Sequence, residues 1–154
     1  MSLKQLSDFE YFRFEEDFVE ENVRCIPMIV RFKLDAVGIK LKLSEWSKFN
    51  VNERQELAVR ESDNRYRIYV EQLIEKYCGT EATYLAIEKH PAWADLYSIT
   101  QQLDERAQQV GMPISVVEWR GLTNLQRFAL LKLCRPGHES KNFIKALKEF
   151  NLGR

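Results

Sequence analysis

The sequence predicts an all-α protein, a single compact bundle of about eight helices with a pseudo-twofold internal repeat. Two observations support this prediction. Residues 26–57 resemble residues 99–130, because identical or similar residues recur 73 positions apart at many places in this range. Apolar residues also recur three or four positions apart along most of the chain, which is the spacing of a helix face. The 154 residues suffice for one domain over residues 1–154, in which residues 1–12 are expected to be loose.

The repeat includes residues with special backbone or packing roles. The identical pairs are Ile26 and Ile99, Val37 and Val110, Gly38 and Gly111, Glu45-Trp46 and Glu118-Trp119, Arg54 and Arg127, and Leu57 and Leu130. Neither copy has a second layer against which to bury its apolar face, so we expect the two copies to pack together. Two copies are too few for a solenoid, and a compact bundle is the better prediction.

Residues 26–43 alone are ambiguous between a β-hairpin and a helix. Apolar residues alternate there as in strands, yet they also form a stripe at helical spacing. The second copy contains Gln, Glu, Arg and Ala, which favour helix over strand. We therefore predict in each copy a helix, then a glycine that caps it (Gly38 or Gly111) in the left-handed conformation, then an extended connector that leads to the tryptophan.

Capping residues and apolar stripes predict six further helices. Their expected ranges are 15–24, from Asn50 or Asn52 to about Arg60, 64–78 with Gly79 after it, 80–90, from Thr123 or Asn124 through Leu133, and from Ser140 to before Gly153.

Bulk composition excludes several classes of protein. Basic and acidic residues are equal in number, 23 each, so no overall field favours nucleic acid or an anionic membrane. The three cysteines are far apart and form no CxxC pair, which suits a reducing compartment and argues against a zinc site. No apolar run is long enough to span a membrane and no signal sequence is apparent, so we expect a cytoplasmic protein.

No established catalytic or nucleotide-binding motif is present, and neither a cofactor nor a metal is predicted. The duplicated residues are interpreted as structural anchors, since a single active site would not need two such sets. Each tryptophan is expected to fill the gap between a connector and the next helix. Each arginine, eight residues later, is expected to pair with the glutamate. These anchors are Glu45, Trp46 and Arg54 in the first copy, and Glu118, Trp119 and Arg127 in the second.

Four basic residues are candidates for binding an anion or another small ligand. Arg31 and Lys33 lie in the first predicted helix, where pairing of Arg31 with Asp35 is the alternative. Arg135 and His138 lie in a Pro-Gly loop before a helix, whose exposed N–H groups attract anions. The alternative is a Pro-Gly turn in which His138 and Glu139 cap that helix. Cys25 precedes a helix start and is either a reactive thiol or a small buried residue.

Two long segments resemble the nitrate reductase-associated protein family, a small and largely cyanobacterial and bacterial family. The most specific matches are CIPMIVRFKLD at 25–35 and RFALLKLCRPGHE at 127–139, and the resemblance covers nearly the whole chain except the weaker stretch 59–95. The family name reflects the proximity of its genes to assimilatory nitrate reductase. The resemblance therefore implies a pathway, and it implies no reaction and no catalytic residue.

Two functions are consistent with these observations. The first is a non-catalytic accessory protein that helps nitrate reductase assemble, mature or dock, with nitrate reductase or its maturation machinery as partner. The alternative is a regulator or enzyme that binds a small anion or cofactor in a basic pocket. A partner-binding protein is expected to expose an apolar patch, whereas the alternative requires the four basic side chains to converge on one cavity.

Overall fold

The computed structural model describes residues 12–15, 25–136 and 140–152. Over these residues the protein is mostly helical, as predicted, with eight α-helices and one small sheet. The helices are α1 (Met28–Val37), α2 (Leu43–Trp46), α3 (Val51–Val59), α4 (Asn64–Cys78), α5 (Gln101–Gln109), α6 (Val116–Arg120), α7 (Asn124–Leu133) and α8 (Ser140–Glu149). Two 3-10 helices lie at Arg13–Glu15 and Ala92–Ala94, and the strands are β1 (Ile39–Lys40) and β2 (Thr83–Tyr84).

The chain divides into two compact units, Met1–Ile87 and Glu88–Arg154. In the first unit α1 packs against α3 and α4, and α2 also contacts α4. The buried side chains of α1 and α4 recur at helical spacing, which explains why these segments form helices. They are Met28, Ile29, Val30, Leu34 and Val37 on α1, and Tyr66, Val70, Leu73 and Ile74 on α4. The phenol of Tyr66 donates a hydrogen bond to the Leu57 carbonyl oxygen at 2.6 Å, which joins α4 to the end of α3.

Glu15 is a buried carboxylate that caps α1 from a distance in sequence. Its side chain is only 1% exposed, and Oε1 accepts a hydrogen bond from the Met28 N–H at 2.7 Å. Oε2 accepts another from the Phe12 N–H at 3.2 Å. The residue at the N-cap position, Pro27, makes no side-chain capping bond. A negative charge at a helix N-terminus is favourable, so Glu15 replaces the local cap that α1 lacks.

Replacing Glu15 with alanine is expected to lower the free energy of unfolding by about 2 kcal/mol, because the buried N–H groups lose their acceptor. Glu15→Gln retains the shape and one acceptor oxygen, so about half of that loss is expected. Urea unfolding followed by circular dichroism measures both values. The exposed Glu75→Gln serves as the control, and an equal effect of the Glu75 and Glu15 variants would contradict the capping role.

A second carboxylate, Glu53, joins α3 to α4. Its Oε1 accepts a hydrogen bond from the Tyr77 phenol at 2.6 Å and one from the Asn50 N–H at 2.9 Å, and Lys76 Nζ lies 3.3 Å from Oε2. Burial by itself would raise the pKa of Glu53. The hydrogen bonds from Tyr77, Asn50 and Lys76 together outweigh burial and lower that pKa below the ordinary 4.5.

Because its pKa is lower in the folded state, Glu53 contributes stability that is complete above the unfolded pKa and is lost as the pH falls through the folded pKa. Tyr77→Phe removes one of the bonds that lower this pKa. The variant is therefore expected to lose less stability than the parent protein between about pH 5 and pH 3. Urea titrations at several pH values test this, with the exposed Tyr97→Phe as the control. A parallel pH profile for Tyr77→Phe would contradict it.

In the second unit α7 packs against α8 and against the 3-10 helix Ala92–Ala94. Helix α7 has four consecutive buried residues, Arg127, Phe128, Ala129 and Leu130, and α8 buries Phe143, Ala146 and Leu147. Capping boxes begin α6 at Ser115 and α7 at Thr123, where the side chain of each cap residue accepts a hydrogen bond from the N–H three residues later. The predicted start of α7 is therefore confirmed.

Most predicted helix ends are also confirmed. Gly38 and Gly111 have φ values of +73° and +75°, the left-handed conformation that glycine adopts without strain. Helix α4 ends before Gly79, as predicted, and Asn50 caps α3. The hairpin interpretation of residues 26–43 is wrong, since only Ile39–Lys40 of this stretch is a strand.

The predicted helix at 80–90 is wrong. Residues 83–84 form a strand that pairs antiparallel with β1, in the register Ile39 to Tyr84 and Lys40 to Thr83. The Leu85 N–H donates to the Gly38 carbonyl oxygen at 2.8 Å. Residues 83–90 are all exposed, so no apolar face is available to stabilise a helix there. The expected helix at 15–24 lies mostly in residues 16–24, outside the described residues.

Three helices of the second unit begin 73 residues after a helix of the first unit: α5 after α1, α6 after α2, and α7 after α3. The spacing extends into the final helices, where Val70, Leu73 and Ile74 of α4 and Phe143, Ala146 and Leu147 of α8 are all buried. The connectors are shorter than predicted. Each tryptophan lies within a short helix, α2 or α6, instead of after an extended segment.

Candidate functional site

Two buried side chains of the second unit, Trp119 and Arg127, fasten the segment that precedes α5. Trp119 is fully buried, and its Nε1 donates to the Asp95 carbonyl oxygen at 2.8 Å. Arg127 is 4% exposed, and its Nε donates to the Trp93 carbonyl oxygen at 2.7 Å. These bonds attach residues 93–95 to α6 and α7, although 24 and 34 residues separate the partners in sequence.

Arg127 also satisfies acceptors close to its own helix. Its guanidinium donates to the carbonyl oxygens of Leu122 and Trp119 and to Oδ1 of Asn124. It lies 5.9 Å from the centroid of the Trp119 ring, within the range of a cation–π interaction. Burial lowers the pKa of Arg127, yet a guanidinium remains charged in proteins. One cation therefore holds the Trp93 backbone and the α6–α7 connection in place through four hydrogen bonds.

The same segment also forms a turn, in which the Asp95 side chain binds the two residues that follow Leu96. Asp95 Oδ1 accepts a hydrogen bond from the Tyr97 N–H at 2.9 Å, and Oδ2 accepts one from the Ser98 hydroxyl at 2.6 Å. The bond from Ser98, followed by that from Tyr97, holds the pKa of Asp95 below its usual value. Such an Asx turn fixes the backbone locally. Tyr97 consequently lies on a loop whose backbone is restrained both by the bond from Trp119 and by the Asx turn.

Tyr97, Val117 and Arg120 form an exposed group that we call the Tyr97 surface. Tyr97 is 82% exposed and Val117 is 75% exposed, more than the other exposed large apolar residues of the described chain. Arg120 lies one helical turn from Val117 on α6, and its Cζ is 5.6 Å from the Tyr97 ring centroid. Its Nε donates to the Leu96 carbonyl oxygen at 3.3 Å. Tyrosine and arginine are typical centres of protein–protein contacts.

The first-copy anchors behave in a similar way within their own unit. Trp46 is buried, and the Arg54 guanidinium lies 6.0 Å from its ring centroid and donates to the Phe49 carbonyl oxygen. The Glu45 carboxylate accepts a hydrogen bond from the Lys42 N–H at 2.8 Å and so caps α2.

The second-copy glutamate has the same capping role. Glu118 accepts a hydrogen bond from the Ser115 N–H at 2.9 Å, at the start of α6. In both copies the glutamate thus caps a short helix, while the arginine binds the carbonyl oxygen five residues before it. This differs from the Arg–Glu pairs that the spacing suggested. The reason is that the backbone groups at the helix ends are nearer and otherwise unsatisfied.

Two of the four candidate anion-binding residues, Arg31 and Lys33, bind backbone carbonyl oxygens in the first unit. Lys33 Nζ donates to Ala58 at 2.8 Å and to Arg60 at 2.7 Å, at the C-terminal end of α3, where cations are favourable. Arg31 Nε donates to Ile26 at 3.0 Å. These bonds give both residues roles in holding the fold.

The remaining candidates are less defined. Arg135 belongs to the second unit and is exposed, and His138 lies outside the described residues. Cys25 is half-buried. Binding of an anion by these basic residues, and reactivity of the thiol, stay predictions. Burial raises the pKa of another thiol, that of Cys134, which disfavours its reactive form.

Sequence reasoning missed Tyr97, Val117 and Arg120. The only local signal was Asp95, two residues before Tyr97, because aspartate at that spacing predicts an Asx turn. Where apolar residues form no stripe at helical spacing, the sequence does not indicate which of them are exposed. Glu15 was missed as a helix cap because it lies 13 residues before the N–H that it binds.

The described residues contain no group of three or more histidine, cysteine, aspartate or glutamate side chains able to hold a metal ion. Within the same part of the chain, no helix combines the length and apolar character that crossing a membrane requires.

The fold and the Tyr97 surface are those of a small, mostly helical protein that displays aromatic, aliphatic and guanidinium groups on a restrained loop and a helix. The chain belongs to the family of conserved nitrate reductase-associated proteins, which it matches over residues 11–150. The resemblance that the sequence suggested is therefore confirmed. No curated protein and no solved structure matches the chain.

Proposed function

We propose that this protein is a non-catalytic accessory protein of nitrate assimilation that binds nitrate reductase or its maturation machinery in the cytoplasm and helps the enzyme to assemble, mature or dock. The family name supports the association with nitrate reductase. The observation that best supports a binding role is the exposure of Tyr97 and Val117, at 82% and 75%, on a backbone held by buried donors.

Preorganisation of the loop that carries Tyr97 favours binding of a partner. Burying apolar surface contributes roughly 25 cal/mol per Å², and a tyrosine ring offers a large area with few rotatable bonds. Trp119 and the Asp95 turn already restrain the loop, so a partner would not have to order it on binding. Arg120 beside the ring adds the other residue type that commonly dominates interface energies.

The proposal is tested with the tagged full-length protein in the cells that produce it. Capture followed by mass spectrometry is expected to recover nitrate reductase or a protein that matures it. Tyr97→Ser with Val117→Ser is expected to reduce this recovery at least tenfold, as for loss of interface centres. Val51→Ser removes a side chain that is 53% exposed in the first unit and serves as the matched control.

Equal recovery with the double variant would remove the Tyr97 surface from the proposal. Failure to recover any nitrate-assimilation protein with the unchanged chain would overturn the accessory function itself. Deletion of the gene should also lower nitrate reductase activity while leaving the amount of its messenger RNA unchanged. An unchanged activity would speak against assembly and maturation.

We also propose that the duplicated helices form a single domain in which one ancestral unit was repeated. The equal spacing of three helix starts and the equivalent Arg–Trp contacts support this proposal. Calorimetry tests the single domain, since one cooperative unit has equal calorimetric and van't Hoff enthalpies. Two separate transitions would show that the units unfold independently.

A further inference from the structure

The Arg120 guanidinium is held in place by neighbouring groups, but no carboxylate of the described residues pairs with it. Its Nε donates to the Leu96 carbonyl oxygen, and its guanidinium is placed beside the Tyr97 ring. Among the described residues, no carboxylate forms an ion pair with Arg120. The remaining N–H donors of its planar fork match the two oxygens of a carboxylate.

A second Arg–Tyr contact, in the first unit, shows the opposite arrangement. Arg67 Cζ lies 4.9 Å from the Tyr84 ring centroid, but its Nε is also 3.9 Å from a Glu71 carboxylate oxygen. The Tyr84 phenol donates a hydrogen bond to the same carboxylate, which raises the pKa of Tyr84. In the part of the chain that the structure describes, the cation beside Tyr84 thus has a carboxylate partner and the cation beside Tyr97 has none.

We infer that the Tyr97 surface binds a partner segment in which a carboxylate lies next to a large apolar side chain. Tyr97 and Val117 would contact the apolar side chain, and the Arg120 guanidinium would receive the carboxylate. This inference rests on the proposed function, because it specifies the partner chemistry that the accessory protein recognises. Complementary charge favours an acidic segment, and the exposed apolar pair requires that the segment also carry an aliphatic or aromatic residue.

The Leu96 bond makes this recognition specific for position as well as charge. An exposed lysine or arginine with free rotamers loses side-chain entropy on pairing, which is why surface ion pairs contribute little. Arg120 is already restrained by the Leu96 carbonyl oxygen and by Tyr97, so less of that entropy remains to be lost. Its position next to apolar surface also excludes water once the partner is bound, which strengthens the ion pair.

The experiment selects peptides from a random phage-displayed library on the immobilised full-length protein, after depletion on the Tyr97→Ser, Val117→Ser variant. The expected result is enrichment of Asp or Glu within about three positions of Leu, Ile, Phe or Trp, as the spacing of the group requires. For a selected peptide made synthetically, Arg120→Glu is expected to weaken binding at least tenfold. Replacing the peptide carboxylate with its amide should weaken binding about as much, and added salt should weaken binding of the unchanged pair.

Arg67→Glu is the matched control, because it alters the neutralised Arg–Tyr contact, and it is expected to leave peptide binding unchanged. Selection of peptides without acidic residues, or no selection at all, would overturn the inference. The inference would also be overturned if sedimentation showed a concentration-dependent dimer and the Tyr97→Ser, Val117→Ser variant did not form it. The surface would then bind a second copy of this chain. The peptide selection needs no nitrate reductase, so its outcome is separate from that of the capture experiment.

Discussion

Replacing Arg127 with methionine is expected to lower the free energy of unfolding by roughly 3 kcal/mol, one of the two largest effects that we predict for a single substitution. The guanidinium is 4% exposed and donates to carbonyl oxygens of Trp93, Trp119 and Leu122. Methionine has similar length but no donor, so those acceptors would lose their partner away from water. The loss corresponds to a decrease in melting temperature of about 6–12 °C for a protein of this size.

Chemical denaturation measures the stability of this variant, and hydrogen exchange locates the effect. Faster exchange is expected at residues 93–97, because the Trp93 carbonyl oxygen loses its bond to α7. Arg127→Lys keeps the charge but not the planar fork, and we expect an intermediate loss of about 2 kcal/mol. Arg135→Ala, at an exposed position just after α7, is the control and should change stability by less than about 0.5 kcal/mol. A similar effect at both positions would refute the anchoring role of Arg127.

Replacing Gly38 with alanine is expected to cost about 3 kcal/mol. The residue has a φ of +73°, which costs an L-residue about 1–2 kcal/mol by itself. A Cβ at this position would also lie 2.9 Å from the Leu85 carbonyl oxygen and 2.9 Å from Cγ1 of Ile87. The side chain of Ile87 can rotate, but the Leu85 backbone cannot move without disturbing the pairing of β2 with β1.

Gly111 provides a control with nearly the same backbone. It lies 73 residues after Gly38 in the sequence with a φ of +75°, and a Cβ there would meet no atom within 4 Å. Gly111→Ala should therefore show only the conformational cost, about 1–2 kcal/mol. The difference between the two variants isolates the contact with residues 85–87, and exchange of the amide at Leu85 should accelerate in Gly38→Ala alone. Equal losses in both variants would show that the contact contributes nothing.

Tyr97 illustrates how far the sequence could predict the candidate site. Its neighbours Asp95 and Ser98 indicate a turn, but nothing in the sequence states that Arg120, 23 residues later, lies beside its ring. Trp119 and Arg127 were predicted as anchors from their duplication. Their side chains bind the backbone carbonyl oxygens of Asp95 and Trp93. Because every residue has such a carbonyl oxygen, no sequence pattern indicates which ones are bound.

The predicted helix at 80–90 failed for a related reason. Thr80 resembles a helix-capping residue, and this local feature is what favours a helix up to His90. The backbone of Thr83 and Tyr84 instead pairs with Ile39 and Lys40, more than 40 residues earlier. A strand of two residues has no periodicity to detect. Its existence depends entirely on a partner that the chain brings near after α4 is complete.

The sequence by itself determined where α3 and α7 begin and where α1 and α4 end. Asn50, Thr123, Gly38 and Gly79 act on N–H or carbonyl groups within a few residues of themselves, so their effects are local and readable. The sequence also determined family membership, because the match extends over residues 11–150.

Only the tertiary structure decided which polar groups meet across long separations. Glu15 caps α1 from 13 residues away, Arg127 binds the Trp93 carbonyl oxygen 34 residues away, and Arg120 is placed beside Tyr97 without a described carboxylate partner. Such contacts are set by how helices pack, and packing depends on the shape of the whole core rather than on the spacing of residues along one helix.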